Sequence, residues 1–340
     1  MSIDPILGVA PLGFQWQTRD PFLFCVHHDD RYPEGNSQLG PDPALLAGRK
    51  MGSDFEIKDG FRMYHGQVVP GFPRHPHRGF ETVTIVRKGL LDHSDSLGAG
   101  ARYGGGDVQW LTAGAGIQHA EMFPLLKHDA ENPLELFQIW LNLPARSKMV
   151  KPHFSMLWRE TIPTLDRPDA AGRMTKLTVI AGRFEDTEAP SPPPNSYASA
   201  PESDLAIWTL KMQPGARITL PGARAGSNRS LYVFSGAGIA AAGRELAADR
   251  HYDVHPEQPF AIENGDAESE ILMLQGRPIG EPVARHGPFV MNTRAEIQQA
   301  YGDFRRTQFG GWPWGVSDPV HGREQLRFAR HADGRTERPA

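Results

Sequence analysis

The chain has 340 residues, enough for two domains that each bury a core. A formal net charge of -4, with no large Lys or Arg block, excludes an electrostatic footprint for nucleic acid or an anionic membrane, and leaves small molecules or protein as partners. A single cysteine, Cys25, excludes an internal disulfide and fits a reducing compartment, where it reads as a small buried hydrophobe.

In chain order, the N-terminus "MSIDPILGVAPLGFQW" lacks a basic n-region, and the longest apolar run, "LYVFSGAGIAAAG", falls far short of the ~20 residues a membrane span requires. The expectation is a soluble cytoplasmic protein. With 36 Gly and 30 Pro, the composition favours short elements joined by turns. Strand-like runs recur: "RMYHGQVV", "FETVTIVRKG", "DVQWLTAG" and "LELFQIWLNL", then "TKLTVIAG", "LAIWTLKM", "RSLYVFSG", "HYDVHP" and "SEILMLQG". Their spacing suits antiparallel sandwiches or barrels, and the similar rhythm of the two series hints at two copies of one β-module. Between them, "EDTEAPSPPPNSYASAPESD" reads as a mobile excursion. Helical periodicity is concentrated in "NTRAEIQQAYGDFRR", where Thr293 and Glu296 form a capping box that predicts a helix over about 293–306. The polar stretch from about Asp318 onward reads as a frayed tail. The expected organisation is an N-terminal metal-binding barrel over 1–160, a linker with the excursion over 161–204, and a C-terminal barrel core without metal over 205–285. Its first strand falls at about 175–182, and a C-terminal segment with the helix and tail covers 286–340.

The chemistry concentrates in two short stretches. In "PRHPHRGFETV", His75 and His77 stand two apart and share one face of an extended strand. Pro76 between them places the pair at a strand start, an edge or a rim. In "GIQHAEM", His119 and Glu121 repeat the spacing, and Gly114 and Gly116 before them permit a backbone reversal. On neighbouring antiparallel strands the pairs would supply three imidazoles and a carboxylate. Such a set suits Fe(II), Mn(II), Ni(II) or Cu(II), with two positions open in an octahedral ion, and the lack of thiolates argues against structural zinc.

Together, "HPHRGFETV", "GDVQWLTAGAGIQHAEM", "WLNLP" and "HGPFVMNT" resemble the pirin family of the cupin superfamily across most of the chain. The resemblance implies an all-β bicupin, two antiparallel double-stranded β-helix (jelly-roll) barrels face to face with a short C-terminal helix. It also implies one metal, usually iron, in the N-terminal barrel only, with nickel, manganese, copper or zinc as alternatives. The family's ligands fall on His75, His77, His119 and Glu121. A typical cupin takes its glutamate four residues after the second histidine, where Glu81 stands; pirins instead use the glutamate after the last histidine. Glu121 is therefore read as ligand and catalytic base, and Glu81 as a neighbour orienting an imidazole N–H from the same face as His75 and His77. The second barrel, "LPGARAGSNRSLYVFSGAG", has no histidine pair and should serve packing or enclose some other ligand.

Gln138 and Trp140 share a strand face that could line the cavity, whereas Phe80 should turn into the core between layers. His65 and His153 have no partner at ligand spacing, and His27 to Asp30 ("HHDD") reads as a solvated loop. His286, Phe289 and Asn292 read as fixing the C-terminal segment against the N-terminal barrel. The functional expectation, implied by the pirin resemblance, is a metal-dependent dioxygenase opening a flavonol-type (quercetin-like) or other enol or phenol substrate with O2. The alternative is a non-enzymatic, iron-dependent redox-sensing adaptor that binds a protein partner.

Overall fold

The computed structural model describes residues 4–340. Strand-forming runs set off by Gly and Pro turns yield an almost wholly antiparallel β architecture, and its one α-helix among the described residues is Arg294–Thr307. Among the described residues, no helix is long and apolar enough to cross a membrane.

The chain divides into two compact units, one of residues 26–159 and 281–340, the other of residues 1–25 and 160–280. The expected continuous domain over 1–160 therefore gives up its first 25 residues. These count with the second unit because the strand Ile6–Pro11 pairs antiparallel with Arg250–Val254, Val9 opposite Tyr252. In return, the C-terminal stretch completes the first unit. There the strand Phe328–Arg330 pairs with Gly100–Gly104, and the buried Arg102 donates to the carbonyls of His321, Gly322 and Gln325 while holding Asp92 at 2.6 and 2.7 Å. The stretch from Asp318 is thus stitched into a sheet rather than frayed. Such pairings are set by registers hundreds of residues apart in sequence, so no local pattern announces them.

In the first unit, one sheet runs in the order His153–Leu157, Val108–Thr112, Phe80–Lys88, Asn132–Asn142, Phe22–Tyr32. The other places Gly71–His77 at its edge, followed by Ile117–Met122, Leu90–Asp95, Gly100–Gly104 and Phe328–Arg330. Leu91, Tyr103, Leu111, Ile117, Leu136 and Phe154 form part of its buried core. The helix carries the full capping box, with Thr293 Oγ1 accepting from the Glu296 backbone N–H and the Glu296 carboxylate accepting from that of Thr293. Its Ile297 and Ala300 pack on Phe289, Met291 and Phe309.

The second unit is built on a seven-stranded sheet in which Asn228–Ser235, Ser269–Gly276, Ala206–Met212 and Met174–Ala181 are successive neighbours, with a smaller four-stranded sheet. Trp208, Leu210, Leu231, Ile271 and Met273 are among its core residues. Within the Pro/Ser-rich excursion, Ser196 caps a short 3-10 turn and Tyr197 and Ser203 are buried, so part of it packs. Cys25 is fully buried.

Candidate metal centre

The two histidine pairs meet because Gly71–His77 and Ile117–Met122 are antiparallel neighbours in a register that sets His75 directly opposite His119. Residues opposite one another share a face, and so do residues two apart on one strand, so all three imidazoles project together. Their ring centroids are 4.4 Å (His75–His119), 4.7 Å (His75–His77) and 4.9 Å (His77–His119) apart, and one ligand nitrogen from each lies within 4.8 Å of the other two. The reversal that delivers His119 uses Gly114 and Gly116 at φ 46° and 128°. A Cβ at Gly114 would stand 2.1 Å from the Val150 carbonyl oxygen, and one at Gly116 2.7 Å from the Phe309 ring.

Hydrogen bonding sets the tautomers. The His75 Nδ1 lies 2.9 Å from the Pro73 carbonyl oxygen and the His77 Nδ1 3.4 Å from that of Pro288. A carbonyl can only accept, so Nδ1–H donates in both and each Nε2 is left with its lone pair for an ion. His119 is fully buried, and neither of its ring nitrogens has a hydrogen-bond partner. An imidazole stranded in this way is costly unless something else occupies its lone pair, and a metal ion does so. Burial lowers the pKa of His75 to about 4 and pushes those of His77 and His119 well below the usual value, so all three are neutral, the ligating form.

The Glu121 carboxylate is buried, with Oε2 3.7 Å from His119 Nε2. Gln138 Nε2 donates to both its oxygens at 2.9 and 2.8 Å, and Thr84 Oγ1 lies 3.5 Å from Oε1. Desolvation raises its pKa, opposed by the Gln138 bonds and the charge of His93. The donor set of three neutral imidazoles and one buried carboxylate fits a divalent ion.

Glu81 does not share this face. The strand period is interrupted between His77 and Phe80, where Gly79 takes φ 85° and a Cβ would approach the Val290 carbonyl oxygen to 2.0 Å. After that break Phe80, Thr82 and Thr84 point with Asn142, Trp140 and Gln138 of the paired strand, and Glu81 points with Leu141 and Thr112. Its Oε1 accepts from Thr112 Oγ1 at 2.6 Å. The same parity change corrects Phe80, which faces the site: it stacks on Trp140 at 3.9 Å between centroids and meets His77 edge-on at 5.0 Å. Trp140 also contacts His77 edge-on at 5.2 Å, with the Arg285 guanidinium 5.2 Å over its ring.

His93 was not anticipated. It is fully buried, stands opposite Glu121 across the strand pair, and lies 5.5 Å from the His119 ring, with Nε2 3.2 Å from Asp95 Oδ2. The H-x-D spacing in "LLDHSD" was the available signal. Of the other histidines, exposed His65 contacts the Gly52 carbonyl at 2.6 Å and His153 that of Lys151 at 3.3 Å. His27 to Asp30 lie in the strand Phe22–Tyr32 rather than a solvated loop; Asp30 is buried against Arg62 and Tyr64, and His28 Nδ1 is 2.7 Å from the Tyr64 hydroxyl. Phe289 packs on Tyr301, the Val290 N–H donates to the Arg78 carbonyl and Asn292 holds Glu281, so the "HGPFVMNT" block fixes the C-terminal segment while its Pro288 carbonyl orients His77.

A family model described as Pirin matches residues 10–141, and one described as Pirin C-terminal cupin domain matches residues 207–310. Human Pirin is 36% identical over 255 residues, covering 74% of this chain and 81% of its own length. The chain belongs to the pirin family. Another relative of this pirin, from Pseudomonas aeruginosa and named "Putative quercetin 2,3-dioxygenase", is 37% identical over 240 residues, 70% of this chain and 79% of that one. The solved structure of quercetin 2,3-dioxygenase from Acinetobacter baumannii superposes with a TM-score of 0.71 at 27% identity, covering 91% of this chain and 99% of the other. The all-β bicupin class is thereby established for this pirin.

Proposed function

We propose that this pirin is a metal-dependent dioxygenase acting on a flavonol-type or related enol or phenol, with His75, His77, His119 and Glu121 holding one divalent ion, iron before nickel, manganese, copper or zinc. The observation that carries the reading is the buried His119 with both ring nitrogens unpartnered, facing two histidines whose tautomers leave Nε2 available. The ion would supply Lewis acidity toward a deprotonated substrate oxygen and, as a redox metal, electrons for O2.

The protein's own groups do the rest. Glu121, held at both oxygens by Gln138, is placed to take the proton from an enol or phenol hydroxyl. Phe80 and Trp140, stacked on one another, meet His77 edge-on and fix the plane of its ring. Relatives named for quercetin 2,3-dioxygenase support the substrate class.

The test is anaerobic metal analysis of fresh protein, then oxygen uptake and loss of flavonol absorbance with quercetin, beside a His77→Ala control. Metal-dependent uptake that disappears in the control is expected. Stoichiometric metal without turnover would sink the enzyme and leave the adaptor.

A further inference from the structure

The second unit, which has no histidine pair, buries a different polar group at the end of its apolar interior. Arg229 stands opposite Gln275, which stands opposite Ala206, and their face continues into Leu231, Met273 and Leu210 of the core. The Arg229 side chain is therefore directed inward, and only 2% of the residue is exposed. Its Nε and Nη2 both donate to the single Gln275 Oε1, at 2.9 and 2.5 Å, and Nη1 donates to the Pro221 carbonyl at 2.7 Å. These acceptors are neutral, and the charge of Asp204 reaches the guanidinium across Gln275 rather than by contact. The carboxylates nearby are engaged elsewhere: Glu188 with Arg183, Glu185 with Arg167, and Asp204 with Ser227, Gln275 and Arg224. Beside it lies a second orphan. Trp208, 1% exposed, has the Arg229 guanidinium 5.9 Å from its ring and no partner for its indole Nε1–H. Both residues line an open cavity of about 810 Å³, in which Ala189, Pro190 and Pro192 form an apolar wall and Arg183, Arg224, Glu185 and Glu188 a charged one.

We propose that this cavity is a second ligand site, taking an aromatic monocarboxylate whose oxygens accept from Arg229 and Trp208 while its ring lies against the apolar wall. A buried guanidinium whose direct contacts are all neutral is costly, and a ligand carboxylate supplies charge in the bidentate geometry it prefers, which Asp204, one amide away, does not. One guanidinium and one indole N–H suit a monoanion, because the other cations of the lining are already held, Arg183 by Glu188 and Arg224 by Asp204 and the Pro201 carbonyl. The site is separate from the metal centre and does not depend on the dioxygenase reading.

The experiment is calorimetric titration of benzoate and of neutral benzamide into the metal-loaded protein, repeated after chelation. Benzoate should bind at about one site per chain regardless of metal, with benzamide at least ~10-fold weaker. Arg229→Gln should weaken benzoate by ~10-fold or more, and Trp208→Phe, which keeps the ring but removes the donor, by a few-fold. If Arg229→Gln does not fold, a benzoate-induced shift of the Arg229 Nε–H resonance in the unaltered protein takes its place. Benzoate binding that vanishes on chelation, that is matched by benzamide, or that survives both substitutions unchanged would overturn the proposal. So would no binding at millimolar benzoate.

Discussion

Two units of related β architecture face their interiors with different polar chemistry. In one, a strand register sets His75 against His119 and His93 against Glu121, and the buried polar atoms converge on a point that a cation would satisfy. In the other, Arg229, Gln275 and Trp208 occupy inward positions, and the unmet demand is for an anion. The difference teaches that the fold supplies an inward face, while a handful of inward side chains sets the sign of the ligand it can hold.

Removing a histidine should break the comparison most completely. His119→Ala is expected to lower metal affinity by ~100-fold or more while the protein stays folded, read by metal analysis beside circular dichroism, since the cores and not the ligands carry the fold. Retained stoichiometric metal would discard the site.

Next in size is the carboxylate. Glu121→Gln should lower flavonol turnover by ~10²-fold or more, because an amide cannot take the proton. Gln138→Leu, which leaves Glu121 in place but frees its oxygens, should cost a smaller factor in kcat, measured under saturating quercetin.

Acid should distinguish the units as well. Burial drives the His28 pKa down to about 3, with the charges of Arg62 and His27 adding to it. A folded-state pKa below the unfolded value of ~6.5 means that between those limits the unfolded chain binds more protons. Stability of the metal-free protein should therefore fall as pH drops from about 6.5 toward 3, by up to ~1.4 kcal/mol per unit from this group. Calorimetry from pH 7 to 4 should show a shallower loss for His28→Gln.

The smallest effect separates the two glutamates. Glu81→Gln should leave metal affinity within about two-fold and lower stability by ~1 kcal/mol, through its weakened bond with Thr112. Loss of metal in that variant would exchange the roles assigned to Glu81 and Glu121.

Much of the site was legible because it is written in short-range spacing. The two-residue intervals of His75/His77 and His119/Glu121 place each pair on one strand face whatever the tertiary context, and the Thr293–Glu296 capping box fixes a helix start within one turn. The same reasoning failed for Glu81 and Phe80, because one residue at positive φ, Gly79, resets the alternation and a two-residue period carries no memory across such a break. His93 escaped notice because its relevance comes from the strand opposite, not from its own neighbours.

The sequence by itself determined the β class, the two-module rhythm, the terminal helix and which histidines travel in pairs, all consequences of local periodicity and turn chemistry. Only the tertiary structure decided that His75 stands opposite His119, that Gln138 holds Glu121 at both oxygens, that each end of the chain completes the unit formed mainly by the other half, and that Arg229 is buried among neutral acceptors. Each of these depends on registers between residues far apart in the chain, where the selecting forces are the burial of a whole face and the pairing of its polar atoms, and neither can be read from any one segment.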